Sequence, residues 1–335
     1  METGTEVNAA ERFGLGLVVG KFLPPHRGHR FLIETALSRC ERVVVIICGK
    51  PVDPIPPELR AGWLRELVPQ AEVMLIDDRY DENDSRVWAE NTMGWLGRAP
   101  DAVFTSEDYG ERYAGLMGAR HVMVDRARLV VPCSGTAVRQ DPFAMWDFID
   151  PPLREWFAKR IVIVGAESTG TTTLAMDLAA ALDTEWVAEY GREYSMLKQG
   201  SCDANWRSEE FMDIVREQAR REDAAARRAN RILVCDTNSF ATVQWHRRYM
   251  GTRFAELEAF AAACRADVYF LTGDEIPFEQ DGLRDGEHLR HDMHRWFEEA
   301  LTAQPKPWFL LRGSRETRLS HALEILDELR LEWRR

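Results

Sequence analysis

Two stretches of this sequence place a glycine-bearing loop directly after an apolar run: LGLVVGKFLPPHRGH at residues 15–29 and IVIVGAESTGTT at residues 161–172. Each apolar run predicts a buried strand, and each loop then leads into a segment with helical spacing. The free N–H groups and the dipole at the start of a helix favour a bound anion. The chain is therefore predicted to contain two phosphate-binding sites.

Both halves of the 335-residue chain repeat an alternation of strand and helix. Strands are predicted at residues 15–22, 42–48, 73–76, 102–105 and 121–124, and again at 161–164, 186–188, 232–235, 268–271 and 308–311. Apolar strands separated by amphipathic helices predict parallel sheets that are covered on both faces. We therefore expect two doubly wound α/β domains, at residues 13–158 and 159–335, behind a loose tail at residues 1–12.

The composition argues against nucleic-acid and membrane partners. The net charge is −12, whereas a nucleic-acid-binding surface is normally basic. The longest apolar run, residues 43–48, is far too short to cross a bilayer, and residues 1–12 lack the pattern of a secretory signal. The 6 cysteines are scattered without CxxC spacing. We interpret them as reduced thiols of a cytoplasmic protein.

The first loop gathers groups that suit a phosphate. Pro24 and Pro25 end the strand, and Gly28 lets a ligand approach the backbone closely. The spacing brings Lys21, His26 and His29 around this single loop. A second segment, CSGTAVR at residues 133–139, is predicted to start a helix that Ser134 caps and from which Thr136 and Arg139 face a phosphate.

These residues resemble the (H/T)xGH signature of the nucleotidyltransferase superfamily, in the GKFxPxH form of nicotinamide mononucleotide adenylyltransferases, and residues 133–139 resemble its ISxTxxR element. The resemblance implies a Rossmann-like domain that uses ATP and Mg²⁺ to adenylylate nicotinamide mononucleotide. The implied catalytic contacts to the triphosphate come from Lys21, His26, His29 and Arg139. The implied nucleotide-binding residues are Gly20, Phe22, Gly28, Glu107, Tyr109, Ser134 and Thr136. Trp88 is either a ring that stacks on nicotinamide or a core residue.

The second loop matches the P-loop pattern GxxxxGK[ST] except that Thr171 occupies the lysine position. A glycine-rich backbone still offers N–H groups to phosphate, whereas the charge that reaches the β- and γ-phosphates is lost. Thr172 and Asp236, which follows a predicted strand, are the expected Mg²⁺ ligands, and Asp236 is also assigned a catalytic role. The predicted nucleotide-binding residues are Gly165, Ser168, Thr169, Gly170, Thr171, Thr172 and Thr173.

Residues 188–194 and 281–284 are similar to segments of the ribosylnicotinamide kinase domain. Over nearly all residues after 12, the chain resembles the bifunctional nicotinamide-nucleotide adenylyltransferase/ribosylnicotinamide kinase family, in the order adenylyltransferase, then P-loop kinase. The resemblance implies phosphorylation of nicotinamide riboside, with Glu189, Tyr190 and Arg192 near the substrate. Arg284 is assigned a catalytic role in a mobile lid, and Arg290 is a weaker candidate there.

Two alternatives stay open for the function. Because Thr171 replaces the lysine, the second domain is either a kinase or a non-catalytic sensor of nucleotides or metabolites. The first domain is either specific for nicotinamide mononucleotide or adenylylates another small phosphorylated acceptor. A homo-oligomer that completes the first site also stays open. Some relatives carry a DNA-binding repressor domain, but too few residues precede Leu15 for one, so DNA binding is not expected. We interpret His288, His291 and His294 as surface residues.

Overall fold

The computed structural model describes residues 12–80, 84–198, 205–280 and 286–329. The chain divides into two compact units, with the division after Pro152. This is before the expected domain boundary at residue 158, because the end of a short helix, Pro151–Phe157, is bonded to the second unit. There, the guanidinium of Arg265 donates to the carbonyl oxygens of Trp156 at 2.9 Å and Ala158 at 3.2 Å.

The first unit contains a sheet of 5 strands, all parallel, in the order β3-β2-β1-β4-β5. The strands are β1 Phe13–Gly20, β2 Cys40–Gly49, β3 Glu72–Asp77, β4 Ala102–Thr105 and β5 Arg120–Met123. The helices are α1 Arg27–Arg39, α2 Pro57–Leu67, α3 Ser85–Leu96, α4 Tyr109–Leu116 and α5 Gly135–Gln140, and α6 Pro151–Phe157 begins in this unit and continues into the second. The strand order reverses at β1, so a ligand cleft is expected at the carboxyl ends of β1 and β4.

Strand β1 is buried on both of its faces. Val18 packs into one apolar cluster together with Ile33 of α1, while Leu17 packs into another together with Trp88 of α3. Neighbouring residues of a strand point to opposite faces, so helices must cover both sides of the sheet. This arrangement holds the end of β1 firmly at the centre of the unit.

The second unit repeats this architecture with a parallel sheet of 5 strands in the order β10-β9-β6-β8-β7. The strands are β6 Lys159–Val164, β7 Trp186–Val187, β8 Ile232–Asp236, β9 Val268–Thr272 and β10 Trp308–Leu311. The helices are α7 Thr171–Ala181, α8 Tyr190–Leu197, α9 Ser208–Ala226, α10 Ser239–Met250, α11 Ala255–Ala263, α12 Arg290–Ala303 and α13 Arg315–Glu328. The predicted fold class, two α/β units with parallel sheets, is confirmed.

Among residues 12–80, 84–198, 205–280 and 286–329, no helix combines the length and apolar character that crossing a membrane requires. The cysteines in these ranges form no disulfide. The same ranges hold no cluster of three or more His, Cys, Asp or Glu side chains that would bind a metal ion. His291 is exposed and lies 2.5 Å from Asp274, but His294 is only 5% exposed. The interpretation of His294 as a surface residue is therefore wrong, because its face of α12 packs inward.

Strand β6 buries a charged side chain, Arg160, which is 3% exposed. Its guanidinium lies 3.2 Å from the equally buried carboxylate of Glu222 and 2.5 Å from Asp223. Burial raises the pKa of Glu222 to about 7, and the charge of Arg160 opposes that rise. Because Asp223 also pairs with Arg160, the arginine keeps a partner if Glu222 is lost, whereas the loss of Arg160 leaves the buried Glu222 without its opposite charge.

Arg160→Leu is expected to lower the free energy of unfolding by about 3 kcal/mol or more, as for a buried ion pair that loses one partner. The loss should be larger at about pH 8 than at about pH 5, because the pKa of Glu222 rises further without Arg160, and keeping the buried carboxyl protonated costs more free energy as the pH rises. Urea unfolding measures the change, and hydrogen exchange in β6 and β8 locates it. Arg216→Leu is the control, since Arg216 forms an exposed pair with Glu256 at 3.5 Å. Equal losses in the two variants would contradict the expectation.

Candidate functional sites

A cleft in the first unit lies where β1 and β4 end, at the point where the strand order reverses. It brings together residues that lie far apart in the sequence, from the loop after β1, the region after β4 and the start of α5. The predicted residues that line it are Gly20, Lys21, Phe22, His26, Gly28, His29, Trp88, Glu107, Tyr109, Ser134, Thr136 and Arg139. All twelve residues predicted for the first site therefore surround one space.

The loop after β1 is shaped by local contacts. Phe22 has a φ of 47° and is only 2% exposed, so its ring is buried where the chain turns. The peptide bond between Leu23 and Pro24 is cis. His26 then caps α1, because its Nδ1 accepts the N–H of Gly28 at 3.1 Å. A histidine therefore stands where Ser, Thr, Asp or Asn usually caps a helix, and this places its ring at the entrance to the helix.

The two histidines of this loop are held neutral. Their ring centroids are 3.8 Å apart. Burial, with the charge of Arg128, lowers the pKa of His26 to about 4. Burial, followed by the charges of His26 and Arg128, lowers the pKa of His29 well below its usual range. At neutral pH these rings therefore offer phosphate an N–H donor rather than a positive charge.

Arg139 joins the two predicted elements of the first site. Its guanidinium donates to the carbonyl oxygen of Leu23 in the loop after β1, and to Oγ1 of Thr136 at 3.2 Å. Ser134 caps α5 by accepting the N–H of Ala137 at 3.1 Å. A Cβ on Gly135 would lie 2.8 Å from the carbonyl oxygen of Leu23, so only glycine lets the two segments approach this closely. The geometry thus fixes Arg139 beside the loop of the histidines.

The aromatic side chains of the cleft have mixed roles. Trp88 is 9% exposed, and its ring packs against Tyr80 and Trp95 with centroids 5.6 and 6.1 Å away. It belongs to the core and borders the cleft, so its role as a core residue is observed, and its stacking on nicotinamide stays a prediction. Tyr109 is 45% exposed, and its hydroxyl donates to the carbonyl oxygen of Val19 at 3.3 Å.

Three charged residues line the cleft without having been predicted from the sequence: Asp78, Asp125 and Arg128. Asp78 directly follows β3 and Asp125 closely follows β5, so the rule that ligands meet the carboxyl ends of strands would have indicated both. Arg128 lies further along the loop after β5, and no motif in the sequence marks it.

A pocket in the second unit surrounds the loop between β6 and α7. The predicted residues that line it are Gly165, Ser168, Gly170, Thr171, Thr172, Thr173, Glu189 and Arg192. A Cβ on Gly165 would lie 2.2 Å from Oγ1 of Thr272, so the loop needs glycine where it leaves the sheet. Gly170 has a φ of 84°, in the left-handed region that glycine adopts without strain.

Two buried arginines donate hydrogen bonds to carbonyl oxygens of this loop. The guanidinium of Arg290 donates to the carbonyl oxygen of Ser168 at 2.9 Å, and that of Arg318 donates to the carbonyl oxygen of Thr169 at 2.6 Å. Arg290 is 6% exposed and Arg318 is 4% exposed. These bonds fix the orientation of two successive peptide groups. Arg318 was not predicted, because it lies in α13, about 150 residues from the loop that it holds.

Thr172 and Asp236, the predicted metal ligands, are in contact with each other. The hydroxyl of Thr172 donates to Oδ2 of Asp236 at 2.5 Å. Burial raises the pKa of Asp236, and hydrogen bonds from Thr172 and Thr171 oppose the rise. Within the described ranges, Oδ1 of Asp236 is buried without a hydrogen-bond partner. A hydroxyl beside an unsatisfied carboxylate oxygen suits Mg²⁺, which binds few protein ligands and completes its shell with water and phosphate.

The remaining predicted residues of the second site lie in different surroundings. Thr169 is 1% exposed and bonds to Oγ1 of Thr272 at 2.7 Å, so it supports the loop from within. The N–H of Tyr190 donates to Oε1 of Gln218 at 2.8 Å, and its ring lies 4.3 Å from the guanidinium carbon of Arg221. Neither residue lines the pocket. Arg284 lies outside the described residues.

Glu189 is the residue of this pocket whose charge is most affected by its surroundings. Burial, with the nearby charge of Asp236, raises its pKa to about 8. Four aromatic side chains line the same pocket and were not predicted: Trp206, Phe211, Trp245 and Tyr249. Aromatic residues with helical spacing read as ordinary core in a sequence, so only the fold reveals that they face a pocket.

We expect the imidazole of His26 to carry its proton on Nε2, because Nδ1 accepts the N–H of Gly28. The ring should stay neutral from about pH 5 to about pH 8, since its pKa is lowered to about 4. Nitrogen-15 NMR of histidine-labelled protein measures both properties, and His26→Gln identifies the signals by removing them. A protonated imidazolium signal from His26 at about pH 6 would overturn this description.

Comparisons with known proteins cover both units. Residues 160–318 match the AAA domain family. Over 293 residues the chain is 27% identical to the trifunctional NAD biosynthesis/regulator protein NadR of Escherichia coli K12, covering 81% of this chain and 71% of that protein. It is 26% identical to the protein of the same name from Salmonella typhimurium LT2, with the same coverage.

Solved structures agree with the fold. A crystal structure of NadR in complex with NR has a TM-score of 0.80 at 20% identity and covers 96% of this chain and 98% of that one. Another, of NadR in complex with NAD and AMP-PNP, has a TM-score of 0.75 at 20% identity and covers 95% of this chain and 97% of that one. At 20% identity, the similarity to these two structures shows that the fold is shared. The chain is similar to the NadR proteins in sequence and in fold, and the resemblance that its two loops carry is confirmed.

Proposed function

We propose that the first unit transfers an adenylyl group from ATP to nicotinamide mononucleotide, which forms NAD and pyrophosphate. The observation that carries this proposal is the bond from Arg139 to the carbonyl oxygen of Leu23, because it unites the two nucleotidyltransferase elements around one cleft. The similarity to proteins named for NAD biosynthesis supports the choice of acceptor.

In the proposed reaction, an oxygen of the acceptor's 5′-phosphate forms a bond to the α-phosphorus of ATP while the bond from that phosphorus to the β-phosphate oxygen breaks. The protein supplies no nucleophile, so it acts by aligning the reactants and balancing charge. Lys21 and Arg139 supply positive charge, and the neutral rings of His26 and His29 supply N–H donors. Bound Mg²⁺ would neutralise part of the triphosphate charge.

We further propose that the second unit phosphorylates nicotinamide riboside with ATP bound at residues 165–172. Glu189 is the proposed base that takes the proton of the attacking hydroxyl, because it lies in the pocket beside the P-loop and its pKa is raised to about 8. Thr172 and Asp236 would hold Mg²⁺. The aromatic side chains suit the riboside, whose pyridinium ring is flat and positively charged. The NadR structure in complex with NR supports the choice of substrate.

The charge missing at Thr171 needs another source for transfer to occur. Arg192 lines the pocket and its charge acts on both Glu189 and Asp236, so it is the proposed source together with Arg284. Thr171 itself favours the second candidate function, a domain that binds nucleotide without transferring phosphate. Separate assays of NAD formation from the mononucleotide and from the riboside, each with ATP and Mg²⁺, distinguish the two.

His29→Ala is expected to slow adenylyl transfer by roughly 100- to 1000-fold, the scale for removing one preorganised donor. The measurement is the rate of NAD formation from nicotinamide mononucleotide and ATP. Phosphorylation of the riboside by the same variant is the control, and it should be unchanged because His29 lies in the first unit. A near-normal transfer rate in the folded variant would remove His29 from the mechanism.

Glu189→Gln is expected to slow phosphorylation of the riboside by about 100-fold or more, the scale for losing a positioned base. In the wild type, kcat/KM for the riboside should rise with pH up to about 8, because only the ionised carboxylate accepts the proton. Glu193→Gln is the matched control, since Glu193 lies in α8, the helix that directly follows Glu189, but pairs with Arg221 at 2.5 Å outside the pocket.

Two results would contradict the role of Glu189. One is equal activity of the Glu189→Gln and Glu193→Gln variants, and the other is a flat pH profile. If the wild type binds ATP in the second unit but never phosphorylates the riboside, the sensing function replaces the kinase.

A further inference from the structure

The loop after β5 is built around one carboxylate. Asp125 accepts the N–H groups of Leu129 at 2.8 Å, Val130 at 3.1 Å and Val131 at 2.9 Å. These backbone hydrogen bonds, of which the bond from Val131 has the largest effect, hold the pKa of Asp125 below its usual range. The loop closes further where the N–H of Arg128 donates to the carbonyl oxygen of Asp125 at 2.8 Å. Four hydrogen bonds thus fix the backbone on either side of Arg128.

Arg128 has an unusual backbone conformation, with a φ of 52°. A long side chain rarely adopts this left-handed region, and such residues persist only where the surrounding structure holds them. A glycine would satisfy this backbone without strain. The arginine therefore gives the loop no conformational advantage, and its side chain needs another explanation.

The side chain of Arg128 lines the first cleft together with His26, His29 and Arg139. Its charge contributes to the lowered pKa of both histidines, so it acts on the groups proposed to contact the triphosphate. Its guanidinium lies 3.2 Å from Glu107, and the two side chains are 47% and 58% exposed. An ion pair this exposed contributes little to stability, so either partner exchanges readily.

Arg126 provides a direct contrast two residues earlier. It is also exposed and also pairs with a carboxylate of the segment after β4, at 2.7 Å from Asp108. Neither Arg126 nor Asp108 lines the cleft. The two arginines thus share a loop and a type of partner, and they differ in whether they face the cleft.

We propose that Arg128 is a phosphate-binding residue of the first cleft. Its guanidinium separates from Glu107 and contacts the polyphosphate of a nucleoside triphosphate, or the pyrophosphate released from it. A guanidinium binds phosphate oxygens through two parallel charge-assisted hydrogen bonds, which are stronger than its exposed pair with a carboxylate. The inference rests on the proposed adenylyl transfer for the nature of the ligand. It adds a positive charge that no sequence motif assigns.

The test is photolabelling of the full chain with 2-azido-ATP and Mg²⁺, followed by mass spectrometry of peptides from residues 12–152. Restricting the measurement to these peptides separates the first cleft from the second nucleotide pocket. Inorganic pyrophosphate serves as a competitor that reports contacts to phosphate alone. The variants are Arg128→Ala, Arg128→Gly and Arg128→Lys, with Arg126→Ala as the matched control.

Arg128→Ala and Arg128→Gly should both raise the half-saturating concentration of 2-azido-ATP and the competing concentration of pyrophosphate by roughly 10- to 100-fold, the scale for one charged hydrogen-bonding group. Arg128→Lys should give a smaller rise because it keeps the charge but not the planar fork. Arg126→Ala should match the wild type. Arg128→Gly removes the side chain without straining the backbone, since glycine fits a φ of 52° at least as well as arginine. A loss in this variant is therefore due to the side chain.

Unchanged labelling in Arg128→Gly, or an equal loss in Arg126→Ala, would overturn the inference, and so would absence of labelling in the first unit of the wild type. NAD formation is measured in parallel to separate the two proposals. Saturable labelling that depends on Arg128 without any NAD formation would refute adenylyl transfer and leave the role of Arg128 intact.

Discussion

The central strand of each sheet ends at the edge where the N-termini of the helices lie, so the chain has to turn there. Both sites depend on this one constraint. Strand β1 ends at Gly20 and strand β6 at Val164, and each lies between two parallel neighbours. Neither strand can continue beyond the sheet without exposing its backbone groups, so the chain turns into a helix. The turn leaves N–H groups facing the space above the sheet, and anions bind there.

The sequence predicted the parts of the structure that depend on short-range patterns. The strand at 232–235 was expected and Ile232–Asp236 is observed, because an apolar run flanked by polar residues defines a buried strand locally. Strand β7 is shorter than expected, only Trp186–Val187, because its pairing with β8 is limited to these two residues. Its partners in the sheet, rather than its own residues, decide how far it extends.

The same distinction applies to the site residues: those inside a short motif were predicted, and those outside any motif were not. Lys21, His26 and Gly28 lie within one motif, so their spacing alone indicated a common loop. Arg318 and Arg128 act across long separations in the sequence, on the P-loop and in the first cleft. A single arginine outside a motif is indistinguishable from a surface charge until the fold shows what it contacts. The aromatic side chains of the second pocket were missed for a related reason, because Trp245 and Tyr249 have the spacing of ordinary helix-packing residues in α10.

Because Thr171 replaces the P-loop lysine, phosphate binding and phosphate transfer have different requirements in the second unit. Arg290 and Arg318 donate to carbonyl oxygens of the loop, and Arg318 also pairs with Glu275 at 2.8 Å. These guanidiniums hold the loop in shape but do not replace a side chain that reaches the γ-phosphate. Backbone N–H groups suffice to bind phosphate, whereas transfer requires a cation that follows the charge as it develops. A loop preorganised without its lysine therefore serves a sensor directly, and it serves a kinase only when an arginine such as Arg192 contacts the phosphate during the reaction.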